Sequence, residues 1–171
     1  MENKPSFFDF AAEVGLTKHI GGVDATETLV QLCHIDKDKY ILDVGCGVGV
    51  TPCFLAKKYG CRVMGVDISE RMVERSRERA RREKVTGLVE FKTADAQALP
   101  FEAGTFDAVL TNPPYIPDTA VPRDPEVRDH DPALALYGGA DGLDVVRLLV
   151  RQAHRLLRPG GLLAVEHADV Q

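Results

Sequence analysis

The chain predicts an α/β fold, a doubly wound and mostly parallel sheet, and three observations carry the prediction. Apolar runs of strand length alternate with longer stretches of helix length, the pattern of a parallel sheet covered on both faces. The first run, residues 40–44, opens into a loop with glycine at every second position, Gly45, Gly47 and Gly49. Acids stand at the ends of three successive runs: Asp43, Asp67 and Asp95. Carboxyl ends of strands are where open α/β sheets bind their ligands.

Two short helices come first, at 6–14 and 26–33. Strands follow at 40–44, 62–66, 88–92, 106–110 and 161–167, with helices at 51–59, 70–84 and 143–157 between them. Strands are read from continuous apolar runs such as Ile41, Leu42 and Val44, and turns from the glycines and prolines that punctuate them. Within helix 70–84, residues 71–84 hold seven basic residues against Glu74, Glu78 and Glu83, which reads as a solvated face laced with i,i+4 pairs. There are no internal repeats. Residues 112–140 show no clear periodicity and hold six of the ten prolines, and loops of that length are usually functional.

The glycine loop differs from its nucleotide-binding relatives. A dinucleotide loop needs G-x-G-x-x-G, and Val50 stands where the third glycine would be. A phosphate loop ends in Gly-Lys-Ser/Thr, whereas Val50, Thr51 and Pro52 follow Gly49. No Lys or Arg lies between Lys39 and Lys57, so the loop is not built to neutralise a phosphate. Acid-x-Gly-x-Gly-x-Gly resembles motif I of the class I S-adenosylmethionine methyltransferases. That resemblance implies S-adenosyl-L-methionine as cofactor and a sheet of order 3-2-1-4-5. Asp43, Gly45, Cys46, Gly47 and Gly49 would then lie against its methionine part. Asp67, with Ile68 beside it, would take the ribose hydroxyls, and Asp95 and Ala96 the adenine end. The helices of residues 1–36 would form a lid over the cofactor, with 37–171 as the α/β core of a single domain.

Asn112, Pro113, Pro114 and Tyr115 follow the fourth strand directly. They resemble motif IV of methyltransferases that act on planar nitrogens. An amide nitrogen is a poor nucleophile because its lone pair is delocalised into the carbonyl. The Asn112 side-chain oxygen and the Pro113 carbonyl can each accept one substrate N–H, which aims the nitrogen and stabilises developing positive charge. Pro113 and Pro114 fix the backbone, and Tyr115 offers a flat face for stacking. Asn112 thus serves as the catalytic residue and also borders the cofactor. No metal is needed, since displacement rests on alignment.

Residues 125–143 and 158–167 resemble the release-factor glutamine-N5 methyltransferases, a likeness covering roughly residues 107–171. It implies a peptide-chain release factor as substrate and partner. Residues 1–106 resemble instead the small-molecule methyltransferases related to quinone and sterol methylation, in phrases such as residues 18–22 and 96–102. The join near Phe106 and Asp107 is what a recombined, chimeric chain would show. The helical domain with which the glutamine family grips its release factor has no counterpart. The sequence stops after the fifth strand, without the sixth and seventh strands of the resembled fold. An apolar fifth strand at the edge would promote self-association. The alternatives are a cofactor-binding scaffold with little turnover and a small-molecule or adenine-N6 methyltransferase.

Composition sets further limits. A chain of 171 residues with 44% hydrophobic content suits one domain with a real core. A net charge of −5 argues against a dedicated nucleic-acid binder. Cys33, Cys46, Cys53 and Cys61 form no C-x-x-C pair, so neither a zinc site nor a disulfide frame is indicated. No leader-like or membrane-spanning run occurs, which points to a cytoplasmic protein with no membrane partner.

Overall fold

The computed structural model describes residues 22–122 and 133–167, with side chains from Thr26 onward. The expected helix at 6–14 lies outside them. In chain order the elements are α1 (Gly22–Leu32), β1 (Tyr40–Val44), α2 (Val50–Tyr59), β2 (Arg62–Asp67), α3 (Glu70–Glu83), β3 (Val89–Thr93), β4 (Phe106–Thr111), α4 (Ala133–Leu136), α5 (Asp144–Leu156) and β5 (Leu157–Val165). The five strands form one sheet of order β3-β2-β1-β4-β5, parallel throughout. This is the α/β, doubly wound fold that the sequence predicts.

The central strands are apolar on both faces because both are covered. Ile41, Val63, Ala108 and Leu110 pack with Leu55, Val73 and Ala80 of α2 and α3 on one side. Leu42, Val44, Val66 and Val109 pack with Leu149, Ala153 and Leu156 of α5 on the other. Helix ends follow local chemistry. Pro52 sits in the first turn of α2, where its missing N–H costs nothing, and Gly60 closes the helix at φ 74°. The Ser69 hydroxyl accepts from the Met72 N–H at the start of α3, and Lys84 in the left-handed region ends it. The four cysteines are unpaired and buried, packing as small apolar groups.

α1 puts Val30, with Cys33 and Ile35 just after it, into the core. One expectation is corrected. The fifth strand begins at Leu157 rather than at 161, running straight out of α5. Leu157 pairs with Phe106 while Leu162 pairs with Ala108, so the intervening residues bulge. Pro159 and Gly160 (φ 80°) suit that bulge, where no ladder N–H is required. Asp107 anchors this end of the sheet: it accepts the Tyr40 N–H at 2.7 Å and pairs with Arg158 at 3.0 Å.

Candidate active site

The loop after β1 is closed by backbone hydrogen bonds. The N–H groups of Gly45 and Cys46 both donate to the Val66 carbonyl at 2.9 Å, tying the turn to the end of β2. Gly45, Gly47 and Gly49 all have positive φ (78°, 54° and 74°), which a side chain would strain. At Gly49 a Cβ would also meet Ser76 at 2.9 Å and the Phe91 ring at 3.0 Å. α3 holds the loop from behind. The buried Ser76 hydroxyl donates to the Gly47 carbonyl at 2.8 Å, and the Arg79 guanidinium to the Val48 carbonyl at 2.9 Å.

Sequence reasoning missed these two residues by reading α3 as a solvated face. The pairs Arg75–Glu78 and Arg79–Glu83 are present, but Arg77 and Arg79 also reach backbone carbonyls. The available signal was Ser76, a polar residue on the apolar stripe of Met72, Val73 and Ala80.

Asp67 belongs to the same network. Its two carboxylate oxygens accept the N–H groups of Gly47 and Ser69, each at 2.9 Å. Burial raises its carboxyl above the usual range, and these backbone donors work against that rise. Asp43 lies at the end of β1 with 2% exposure. Burial, then the charge of Asp67, pushes its carboxyl up to about 7. The Cys46 thiol is raised well above its usual range by burial, then by Asp43 and Asp67, so it is no nucleophile at neutral pH.

Ile68 turns an apolar side chain to solvent at 56% exposure, beside Asp67. The exposed Asp95 lies just past β3, where its carboxylate accepts the Gln97 N–H at 2.8 Å. Ala96, half-buried, packs against the core cluster that contains Leu99. Asp43, residues 45–49 and Asp67 are thus brought together. Asp95 and Ala96 stand at the neighbouring strand end, which the Ala94 N–H joins to the Asp67 carbonyl at 3.0 Å.

Asn112 to Tyr115 leave the sheet next to this loop, because Val44 pairs with Thr111. The buried Thr111 hydroxyl donates to the Val44 carbonyl at 3.1 Å, joining the ends of β1 and β4. Asn112 is exposed, Pro113 is buried, and Pro114 and Tyr115 are half-buried. Part of the stretch expected as an irregular loop, residues 112–140, is structured. Ile116 bridges Tyr137, with its N–H donating to Leu136 and its carbonyl accepting from Gly138, at 2.8 and 2.9 Å. A Cβ at Gly138 would fall 2.6 Å from the Pro114 carbonyl oxygen and 2.5 Å from that of Gly142. Gly138 therefore lets this segment press directly against the backbone of Pro114. Asp141 holds the far side, accepting the Leu143 N–H at 3.1 Å and pairing with Arg147, which keeps its carboxyl down at about 2. Glu166 is a further residue missed by sequence reasoning. Its N–H donates to the Thr111 carbonyl at 3.1 Å, and burial, then its charge, raises the Tyr115 hydroxyl above the usual range.

Among the described residues no group of His, Cys, Asp and Glu could hold a metal, and no helix is long and apolar enough to cross a membrane. The arrangement offers a lysine-free loop, a buried acid (Asp43), a half-buried one (Asp67) and a proline-containing acceptor turn at the carboxyl end of one sheet.

Known proteins fit this geometry. Residues 41–123 match the methyltransferase domain family. A release factor glutamine methyltransferase of Streptomyces coelicolor is 46% identical over 134 residues, covering 77% of this chain and 46% of that protein. That match is too long to be confined to residues 107–171, so it reaches back across Phe106 into the first half. A 4-amino-L-phenylalanine/4-methylamino-L-phenylalanine methyltransferase of Streptomyces pristinaespiralis is 39% identical over 132 residues, covering 77% of this chain and 44% of that one. The chain therefore spans less than half the length of these curated relatives. Among solved structures, a geranyl diphosphate C-methyltransferase of Streptomyces coelicolor, in complex with S-adenosyl-L-homocysteine, superposes with a TM-score of 0.61. It is 20% identical, covers 84% of this chain and 45% of its own, and is a likeness of fold. Sequence, sheet order and site geometry agree: residues 41–123 match a methyltransferase domain, and the α/β fold is shared with solved class I S-adenosylmethionine methyltransferases.

Proposed function

We propose that this chain methylates a planar nitrogen, the side-chain amide of a glutamine in a peptide-chain release factor. The observation that carries the proposal is the position of Asn112 to Tyr115. They leave β4 at the strand end that the Thr111 hydroxyl joins to β1, beside the glycine loop. The name of the Streptomyces coelicolor relative supports glutamine as the acceptor.

The residues fit S-adenosylmethionine. The loop carries no lysine or arginine to favour a phosphate. Each Asp67 oxygen keeps a lone pair after its backbone bond and can still accept a ribose hydroxyl. Asp43 offers buried negative charge to the cationic methionine end, against residues 45–49. Ile68 and Ala96 would flank the adenine, and Asp95 would accept from its amino group.

When bound, the cofactor supplies an electrophilic methyl group on a sulfonium. The chain's residues supply alignment. The Asn112 oxygen and the Pro113 carbonyl accept the two N–H groups of the amide and pull positive charge toward themselves as the nitrogen attacks. Pro113 and Pro114, pressed on by the Gly138 turn, hold both acceptors in place. Tyr115 stacks on the amide plane. The surplus proton leaves to solvent after transfer.

Asn112→Ala tests the assignment. Turnover on a Gly-Gly-Gln peptide should fall by about 10²–10³, the usual loss for one such hydrogen-bonding group, while cofactor affinity is unchanged. Turnover equal to the parent would remove Asn112 from the mechanism. A second reading is an arylamine acceptor, favoured by the name of the 39% identical relative. Methylation of 4-amino-L-phenylalanine in preference to the peptide would select it. Cofactor binding with no transfer to any nitrogen acceptor would leave a binding scaffold.

A further inference from the structure

Two carboxylates stand at the ends of neighbouring strands, and they are treated unequally. β1 and β2 pair in register from Tyr40 opposite Arg62 to Val44 opposite Val66, which brings Asp43 and Asp67 to one end of the sheet. Asp67 is served by two backbone donors, Gly47 and Ser69. Asp43 is 2% exposed, and no hydrogen bond from a described residue is directed to its carboxylate.

Among the described residues packed around Asp43, none supplies a cation. On β2 the facing group is Asp67, and in the loop it is the thiol of Cys46. On β4 the partners of Asp43 and Val44 are Leu110 and Thr111, neither of which titrates. Beyond them, Tyr115 and Glu166 act on each other. Arg79 of α3, behind the loop, is taken by the Val48 carbonyl and Glu83. A buried carboxylate next to another, with no donor, is costly in its charged form. Its carboxyl is accordingly raised to about 7, so the free chain holds a proton there through the mildly acidic range.

We propose that the chain takes up the cationic end of S-adenosylmethionine in exchange for the proton of Asp43, so that cofactor binding releases a proton. The O–H bond of the Asp43 carboxyl breaks and its proton goes to the buffer. The electron pair stays on the carboxylate, which then faces the cationic cofactor, whose own ammonium keeps its proton. The inference rests on the proposed cofactor site but adds a property that site geometry alone does not require. Affinity becomes linked to pH with a definite sign. Below the Asp43 titration point, part of the binding energy is used to remove the proton, so affinity rises with pH. Above that point the proton is already gone and the dependence ends.

Calorimetry on the parent chain tests this without any variant. S-adenosylmethionine is titrated at pH 6 in buffers of different ionisation enthalpy, which reports the protons released per ligand bound. Close to one proton should be released, and the dissociation constant should fall roughly fivefold between pH 6 and pH 7. Asp43→Asn, close in shape and uncharged, should bind with no proton release and a flat pH profile. A carbon-13 carboxyl signal of Asp43 should move from the protonated to the ionised position when ligand is added at pH 6. Binding by the parent with no proton release, or an Asp43 signal that stays protonated, would overturn the inference and leave the cofactor site standing. No binding at any pH would overturn the cofactor site and this inference with it.

Discussion

At the scale of single residues, the site is set by where charge is buried. Asp67 contributes a carboxylate already oriented by two backbone N–H groups. Asp67→Ala should weaken S-adenosylhomocysteine binding by about 1.5–3 kcal/mol, the range for hydrogen bonds to a charged group. Equal affinities by calorimetry would place the ribose elsewhere. Asp43 makes the opposite contribution to folding. Its folded carboxyl titrates near 7, above its ordinary value of 3.8, so the folded state favours the protonated form. Its contribution to stability is therefore full below the ordinary value and lost as pH rises toward 7. Asp43→Asn removes that loss. Its thermal midpoint should exceed the parent's at pH 8, and the gap should narrow as pH falls to 5. A midpoint lower than the parent's at pH 8 would mean that the ionised carboxylate is stabilised in the fold.

At the scale of elements, the glycine loop and the helix behind it work as one piece. Gly49 combines a positive φ with close approach to Ser76 and Phe91, so Gly49→Ala is doubly opposed. It should cost about 1–3 kcal/mol by strain and overpacking. Denaturant unfolding with an unchanged midpoint would show that the loop yields. Strand positions and the glycine loop were legible in the sequence, because burial on both faces writes a continuous apolar run and a left-handed backbone demands glycine. Asp43, Asp67 and Asn112 were legible for a related reason: each follows such a run. The buttresses were not. Ser76, Arg79 and Gly138 act on the backbone of segments distant in sequence, and backbone acceptors leave no trace in side-chain type. The start of β5 was misplaced because the bulge over Arg158, Pro159 and Gly160 interrupts the apolar run.

At the scale of the whole molecule, the sheet has two unlike edges. On β3, Glu90, Lys92 and Thr93 are exposed and the Arg77 guanidinium occupies the Phe91 carbonyl, which blunts that edge. β5 pairs with β4 alone among the described residues, and Leu162 on it is 40% exposed. Self-association through β5 is the expected outcome. Light scattering should show mass rising with concentration, and Leu162→Lys should suppress it. A parent that stays monomeric at every concentration would show this edge to be protected.

Glutamine methylation at the turn of Asn112 to Tyr115 is the central claim. Mass spectrometry of a release factor incubated with the chain and S-adenosylmethionine tests it most directly. The expected result is one added methyl group on the glutamine of its Gly-Gly-Gln loop, absent with Asn112→Ala. An unmodified glutamine, from a parent chain shown by calorimetry to bind the cofactor, would contradict it.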